Sequence, residues 1–186
     1  MSKKNTKSLN FRKGNRTLKQ FKKDIKSNTA KEEFLMNLAV TELKIMGYSD
    51  ITFTDNGINN VGDLIEGSTG CASDYIIFIN GEKHFVEIKN SKSTKKCTFK
   101  VYQLQEYVKQ WAHIFLFYGT GPIKNQPEKI DKKTTRWAIL SPQQIQTMLD
   151  KLTPYKDYYF GNKLCIQVQK KDFLLFWTEY KIESWK

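Results

Sequence analysis

Apolar residues recur along this chain with two distinct periods. From Ala30 to Met46 the spacing is helical: Phe34, Leu38, Thr41 and Ile45 share a stripe, with Leu35 and Glu42 beside it. Thr29 is placed to cap the start of that helix and Gly47 to end it. Ile51 to Thr54 then reads as a short strand, followed by a loop rich in Asn and Gly. Two runs of strand period come next, Asp74 to Ile79 and Lys83 to Lys89, joined through Asn80-Gly81. An Asn-Gly pair between apolar runs signals a two-residue hairpin, because a type I′ turn needs positive φ at both central positions.

Beyond the hairpin, Phe99 to Ala112 reads as a helix and Ile114 to Tyr118 as a buried strand. Gly119-Thr120-Gly121-Pro122 opens a polar, Lys-rich excursion, and Arg136 to Leu140 is a further strand. Ser141-Pro142 starts a helix to Leu152, with a capping hydroxyl and Pro in the first turn. From Leu164 onward one strand and an aromatic-rich element around Phe173 to Trp177 are expected. Helices and strands in this order, packed around one sheet, place the chain in the α/β class.

Length and charge refine this. The 186 residues suit a single domain from 29 to 186, preceded by a basic, flexible N-terminal arm over 1–28. In that arm Arg12, Lys13, Arg16 and seven lysines face a single acid, Asp24. Such an arm suits phosphate binding without sequence preference; a solubilising tail or a localisation signal has the same composition. The net charge of +12 points the same way, towards a phosphate-rich partner. No apolar run approaches the roughly 20 residues that span a bilayer, and no apolar stretch follows the basic N-terminus. A cytoplasmic protein is expected, or a nuclear one if the host has a nucleus, with no membrane partner. Cys71, Cys97 and Cys165 are too far apart for a zinc site and odd in number, so all three are expected to be reduced.

The hairpin carries the chemistry. Side chains alternate along a strand, so Phe85, Glu87 and Lys89 share one face while Val86 and Ile88 share the other. A turn at Asn80-Gly81 pairs Ile79 with Glu82 and Phe78 with Lys83, and continuing the count sets Asp74 opposite Glu87. Directly opposed residues have β-carbons about 4.5–5.5 Å apart, where like charges destabilise the sheet. Two carboxylates so close, among apolar neighbours, call for a cation, and a hard divalent ion with oxygen ligands fits. Lys89 would lie beside that ion, able to orient a water or help deprotonate it for attack on phosphorus. Lys92, Lys95, Lys96 and Lys100 follow at once and form a basic rim for phosphates. The histidines, His84 and His113, have no paired ligands nearby, which disfavours a nuclease built on clustered histidines. Trp111, Trp137, Trp177 and Trp185 read as packing residues rather than base-stacking platforms.

Ser73-Asp74, a short hairpin and then Val86-Glu87-Ile88-Lys89 resemble the PD-(D/E)XK nuclease superfamily. The likeness spans about residues 30 to 118; it departs at Ser73, where the family often has Pro. It implies a restriction-endonuclease-like αβββαβ core with a mixed central sheet flanked by helices. It implies that Asp74 and Glu87 hold Mg²⁺, with Mn²⁺ a substitute, that the Ile88 carbonyl joins them, and that Lys89 assists the attacking water. An acid on the first helix often completes such sites; Glu32 and Glu33 are both placed for it, with Glu33 preferred. Gln103, four residues before Tyr107, matches a Gln that in the family supports the site or touches DNA.

The expected function is therefore a Mg²⁺-dependent DNA endonuclease, with resolvase-like, homing and restriction types all open. Junction resolution would need a homodimer. The Asn- and Lys-rich composition points to an AT-rich source such as a phage or mobile element. The alternative is a non-catalytic nucleic-acid-binding protein on the same fold.

Overall fold

In the computed structural model, residues 18–56, 73–121 and 129–185 are described. The arm residues Arg12, Lys13 and Arg16 lie outside them, as does Cys71. Among the described residues no helix is long and apolar enough to cross a membrane.

Helix α1 spans Leu18–Ile45, 28 residues and about 42 Å long. It runs straight through Thr29, so the expected cap there and the expected boundary between arm and domain both fall inside one helix. Gly47, at φ 95°, follows its end as expected. Its buried stripe is Leu35, Met36, Ala39, Val40 and Leu43, with Leu38 and Glu42 alongside. Thr41 and Ile45, expected on that stripe, are exposed. The packed face is thus turned by about one residue from the one read off the sequence. An apolar count alone fixes phase poorly when β-branched and polar residues share the stripe.

The strands are β1 (Ile51–Asp55), β2 (Tyr75–Ile79), β3 (Glu82–Ser91), β4 (Lys96–Lys100) and β5 (His113–Tyr118). Helix α2 (Val101–Lys109) lies between β4 and β5. After β5 come β6 (Arg136–Leu140), α3 (Pro142–Lys151), β7 (Tyr155–Asp157), β8 (Lys163–Gln169), α4 (Phe173–Phe176) and β9 (Tyr180–Lys181). Six strands form a mixed central sheet in the order β1-β2-β3-β5-β6-β9, with β3 and β5 parallel and every other pair antiparallel. A separate antiparallel sheet has the order β4-β8-β7.

The single helix expected over Phe99 to Ala112 is therefore a strand followed by a shorter helix. Cys97 and Phe99 bury one face of β4 and find backbone partners on β8, some 70 residues later, which no local window can reveal. Strands β7 and β9 were likewise not anticipated. Ser141 caps α3 as expected, and Gln144 completes a capping box with it.

The central sheet is packed on both faces. Ile77, Val86, Ile88, Phe115, Phe117 and Trp137 meet α1 on one side. Ile114, Leu116, Tyr118, Ala138 and Leu140 meet α2, α3 and the small sheet on the other. Strand β5 alternates between the two cores, which is why its sequence is continuously apolar. Buried Glu42 ties the chain's end to α1: its carboxylate accepts the backbone N–H of Glu183 at 2.8 Å and of Ser184 at 2.9 Å. Glu42→Ala strands both donors, so we expect it to lower stability by about 2–4 kcal/mol, read as a urea midpoint shift, with Glu42→Gln costing less.

Candidate active site

The hairpin turn is the one its sequence demands. Asn80 and Gly81 take φ of 51° and 83°, and the ladder runs Ile79–Glu82, Phe78–Lys83, Ile77–His84, Ile76–Phe85 and Tyr75–Val86. Asp74 is the next residue on β2's side and Glu87 the next on β3's.

Asp74 is held from both directions. Its Oδ2 accepts the Ile88 N–H at 2.9 Å, and its carbonyl accepts the Asn56 N–H at 3.0 Å. The preceding Ser73 is buried; its carbonyl and hydroxyl take the Asn56 amide at 3.2 and 3.1 Å, and its N–H donates to Gln110 Oε1 at 3.4 Å. Where the family resemblance would place Pro, this chain uses a hydrogen-bonded serine to fix the acid.

Glu87 is buried at the centre of the site. Its Oε1 accepts the Tyr107 hydroxyl at 2.6 Å and pairs with the Lys89 ammonium. The same ammonium lies 5.4 Å from the Tyr107 ring centroid. Oε2 of Glu87 is buried with no hydrogen-bond partner among the described residues. A carboxylate oxygen in that state leaves a strong acceptor uncompensated.

Of the two candidate acids on α1, Glu32 rather than the preferred Glu33 is coupled to Glu87 and Lys89. Glu32 precedes Leu35 by three residues and Met36 by four, so it continues the buried stripe. Glu33 lies on the exposed face with Asn37 and Thr41, and its carbonyl accepts the Asn37 side-chain amide at 2.9 Å. Burial raises the Glu32 carboxyl above its ordinary range; Lys31 and Lys89 act against that, while Glu87 and Asp55 add to it.

The electrostatics of the other groups follow from the same crowding. Burial pushes the Asp74 carboxyl up to about 8, with Glu87 and Glu32 adding to the shift against Lys89 and the Ile88 N–H. Burial by itself would lower Lys89, but Glu87, Tyr107 and Asp74 outweigh it and hold the ammonium well above its usual value. Lys89 is thus held as a cation in the metal-free site, a state suited to orienting a water, one of the two roles expected of it from the sequence. Lys31 is lowered by burial and by the fields of Lys92 and Lys89, with Glu32 opposing.

The other expected residues divide. Lys92, Lys95 and Lys96 are exposed, and Lys92 acts on Lys31. Lys100 instead lies over the Phe160 ring at 5.1 Å. Gln103 shares α2's Tyr107 face but makes no hydrogen bond among the described residues. Tyr107, which the motif includes only as the partner of Gln103, is the residue that holds Glu87, and Asn56 and Gln110 are positioning residues that the motif does not single out.

Among the described residues no three acidic, histidine or cysteine side chains already converge as metal ligands. The donor chemistry nevertheless fits a hard cation: two adjacent carboxylates, one with an orphaned oxygen and the other raised to about 8. No family model matches the chain, and no curated protein matches it.

Proposed function

We propose that this chain is a Mg²⁺-dependent DNA endonuclease whose αβββαβ core, formed by α1, β1, β2, β3, α2 and β5, is of the restriction-endonuclease type. The observation that carries the reading is the meeting of Asp74, Glu87 and Lys89, with Glu32 arriving from α1. A buried and a half-buried carboxylate side by side cost stability, and a hydrolytic metal site repays that cost. Asp74 and Glu87 would hold the ion, joined by the Ile88 carbonyl and Glu32; Mg²⁺ there supplies Lewis acidity and a water of lowered pKa. Lys89 keeps its proton and orients the attacking water against the scissile phosphate. Tyr107 fixes the Glu87 carboxylate through Oε1, leaving Oε2 as the open donor atom. Lys31 and Lys92 offer charge to the flanking phosphates.

The test is cleavage of linear, supercoiled, single-stranded and four-way-junction DNA by the purified chain with Mg²⁺, Mn²⁺ or EDTA. Cutting that needs the metal supports the reading; intact DNA under every condition removes it. The second reading, a non-catalytic nucleic-acid-binding protein, is favoured by one observation: Lys89 and the Ile88 N–H already partner the two acids internally. That reading expects salt-dependent DNA binding with no cleavage.

A further inference from the structure

The small sheet ends in a surface that the cleavage site does not use. Strands β7 and β8 are joined by the turn Tyr158-Tyr159-Phe160-Gly161-Asn162. At its tip Tyr158 is 82% exposed and Tyr159 94%, with their rings 6.1 Å apart and nearly perpendicular. Such exposure of adjacent aromatic rings leaves apolar surface facing water.

The tip is not a loose loop. Asp157 Oδ1 accepts the Tyr159 N–H at 2.9 Å and its Oδ2 accepts the Tyr155 hydroxyl at 2.9 Å. The Asp157 carbonyl takes the Asn162 N–H at 2.9 Å, and Gly161 and Asn162 close the turn at φ of 68° and 59°. The rings are therefore displayed by a braced turn, and binding to them would need little further ordering.

Cations stack on the neighbouring rings, Phe160 in the same turn and Tyr102 on α2. Lys100 lies over Phe160, and Lys163 lies 5.0 Å from the centroid of half-exposed Tyr102. Lys156 is exposed on the same hairpin. Rings interleaved with ammonium groups, on a chain of net charge +12, complement a polyanion that has free planar faces. Paired bases offer no such faces along a duplex, whereas unpaired ones do.

The tip also has a defined relation to the cleavage site. Lys100 pairs with Cys165 on β8 and immediately precedes α2, whose Tyr107 holds Glu87. Tyr107 is seven residue steps beyond Lys100, about 10 Å along the helix axis.

We infer that the Tyr158–Tyr159 tip, with Tyr102, Phe160, Lys100 and Lys163 behind it, is a stacking platform for unpaired nucleotides. The substrate is accordingly DNA with a single-stranded segment, such as a flap, gap or junction. This inference rests on the nuclease reading for its substrate, but the platform itself can be tested without cleavage.

The experiment measures binding of dye-labelled oligothymidine and of a blunt duplex of equal length, by fluorescence anisotropy in EDTA. Tyr158→Ala/Tyr159→Ala is expected to weaken oligothymidine binding roughly tenfold or more, to lower the ratio of oligothymidine to duplex affinity, and to keep the far-ultraviolet circular dichroism spectrum. Tyr158→Phe/Tyr159→Phe, which keeps the rings, should restore binding. Unchanged oligothymidine affinity in the alanine variant overturns the platform, as does an equal fall for both DNA forms. Binding to phosphatidylserine vesicles that is lost in the alanine variant while DNA binding stays intact overturns it in favour of a membrane surface. Ring-dependent oligothymidine binding by a chain that cuts no DNA with Mg²⁺ would keep the platform and remove the nuclease. Metal-dependent cutting with ring-independent binding would do the reverse.

Discussion

Replacing Lys89 with alanine is expected to lower Mg²⁺-dependent DNA cleavage by roughly 100-fold or more while leaving DNA affinity nearly unchanged. Lys89 contributes its charge at one point, against Glu87 and beside Asp74, whereas under the proposed function affinity for DNA would be spread over the chain's many surface lysines. The variant has a second signature. Without Lys89, Glu87 keeps Tyr107 on Oε1 but has no cation, and its Oε2 is still orphaned. Removing one partner of a buried pair strands the other charge, so the metal-free variant should lose about 3 kcal/mol of stability. A divalent cation held by the two acids would return much of that loss, because a ligand that binds only the folded state stabilises it. The measurement is thermal unfolding of wild type and Lys89→Ala in EDTA and in Mg²⁺, next to a plasmid cleavage assay. Equal cleavage by the two proteins, or a melting temperature in the variant that ignores Mg²⁺, contradicts the roles given to Lys89 and the carboxylates.

Asp74→Asn should make the metal-free protein more stable while abolishing cleavage. Burial pushes the Asp74 carboxyl of the folded chain up to about 8 from an ordinary value of 3.8. Between about pH 4 and 8 the folded state keeps a proton that the unfolded chain has released, so stability falls as pH rises through that window. Asparagine carries no such penalty, and its side-chain oxygen can still accept the Ile88 N–H. The gain should be near zero at pH 4, grow through neutrality and level off above pH 8. Asp74 is only half-buried, which discounts the full conversion of the shift, and a gain of roughly 1–3 kcal/mol at pH 8 is expected. Urea unfolding in EDTA at several pH values reads it; a variant less stable than wild type at pH 8 would falsify the assignment. For the same reason wild-type cleavage at fixed Mg²⁺ should climb between pH 6 and 8, as the carboxyl must lose its proton to act as a ligand.

How much was legible in the sequence varies from element to element. The β2–β3 hairpin was readable because its determinant is local: two residues with positive φ set the register, and a period of two does the rest. Asp74 opposite Glu87, and Lys89 on the same face as Glu87, came out of that count. The capping of α3 by Ser141 was legible for the same reason. Strand β4 was not, since its partner β8 lies far along the chain, and Phe99 fits a helical pattern as readily as a strand. The tyrosines at the β7–β8 tip gave no signal, because exposure is a property of the assembled surface.

The helix acid shows where the division falls. The sequence alone determined that α1 carries two adjacent acids, and that Asp74, Glu87 and Lys89 sit together on one hairpin, because turn chemistry and strand alternation act over a few residues. Which acid joins them was decided by the phase at which α1 packs on the sheet, set by the fit of Leu35, Met36, Ala39 and Leu43 against Ile77, Val86 and Ile88. Only the tertiary structure could bring Tyr107 onto Glu87 across the β3–α2–β5 crossover, or raise Asp74 to about 8. Both effects need neighbours distant in sequence and the exclusion of water, which packing creates and no local pattern encodes.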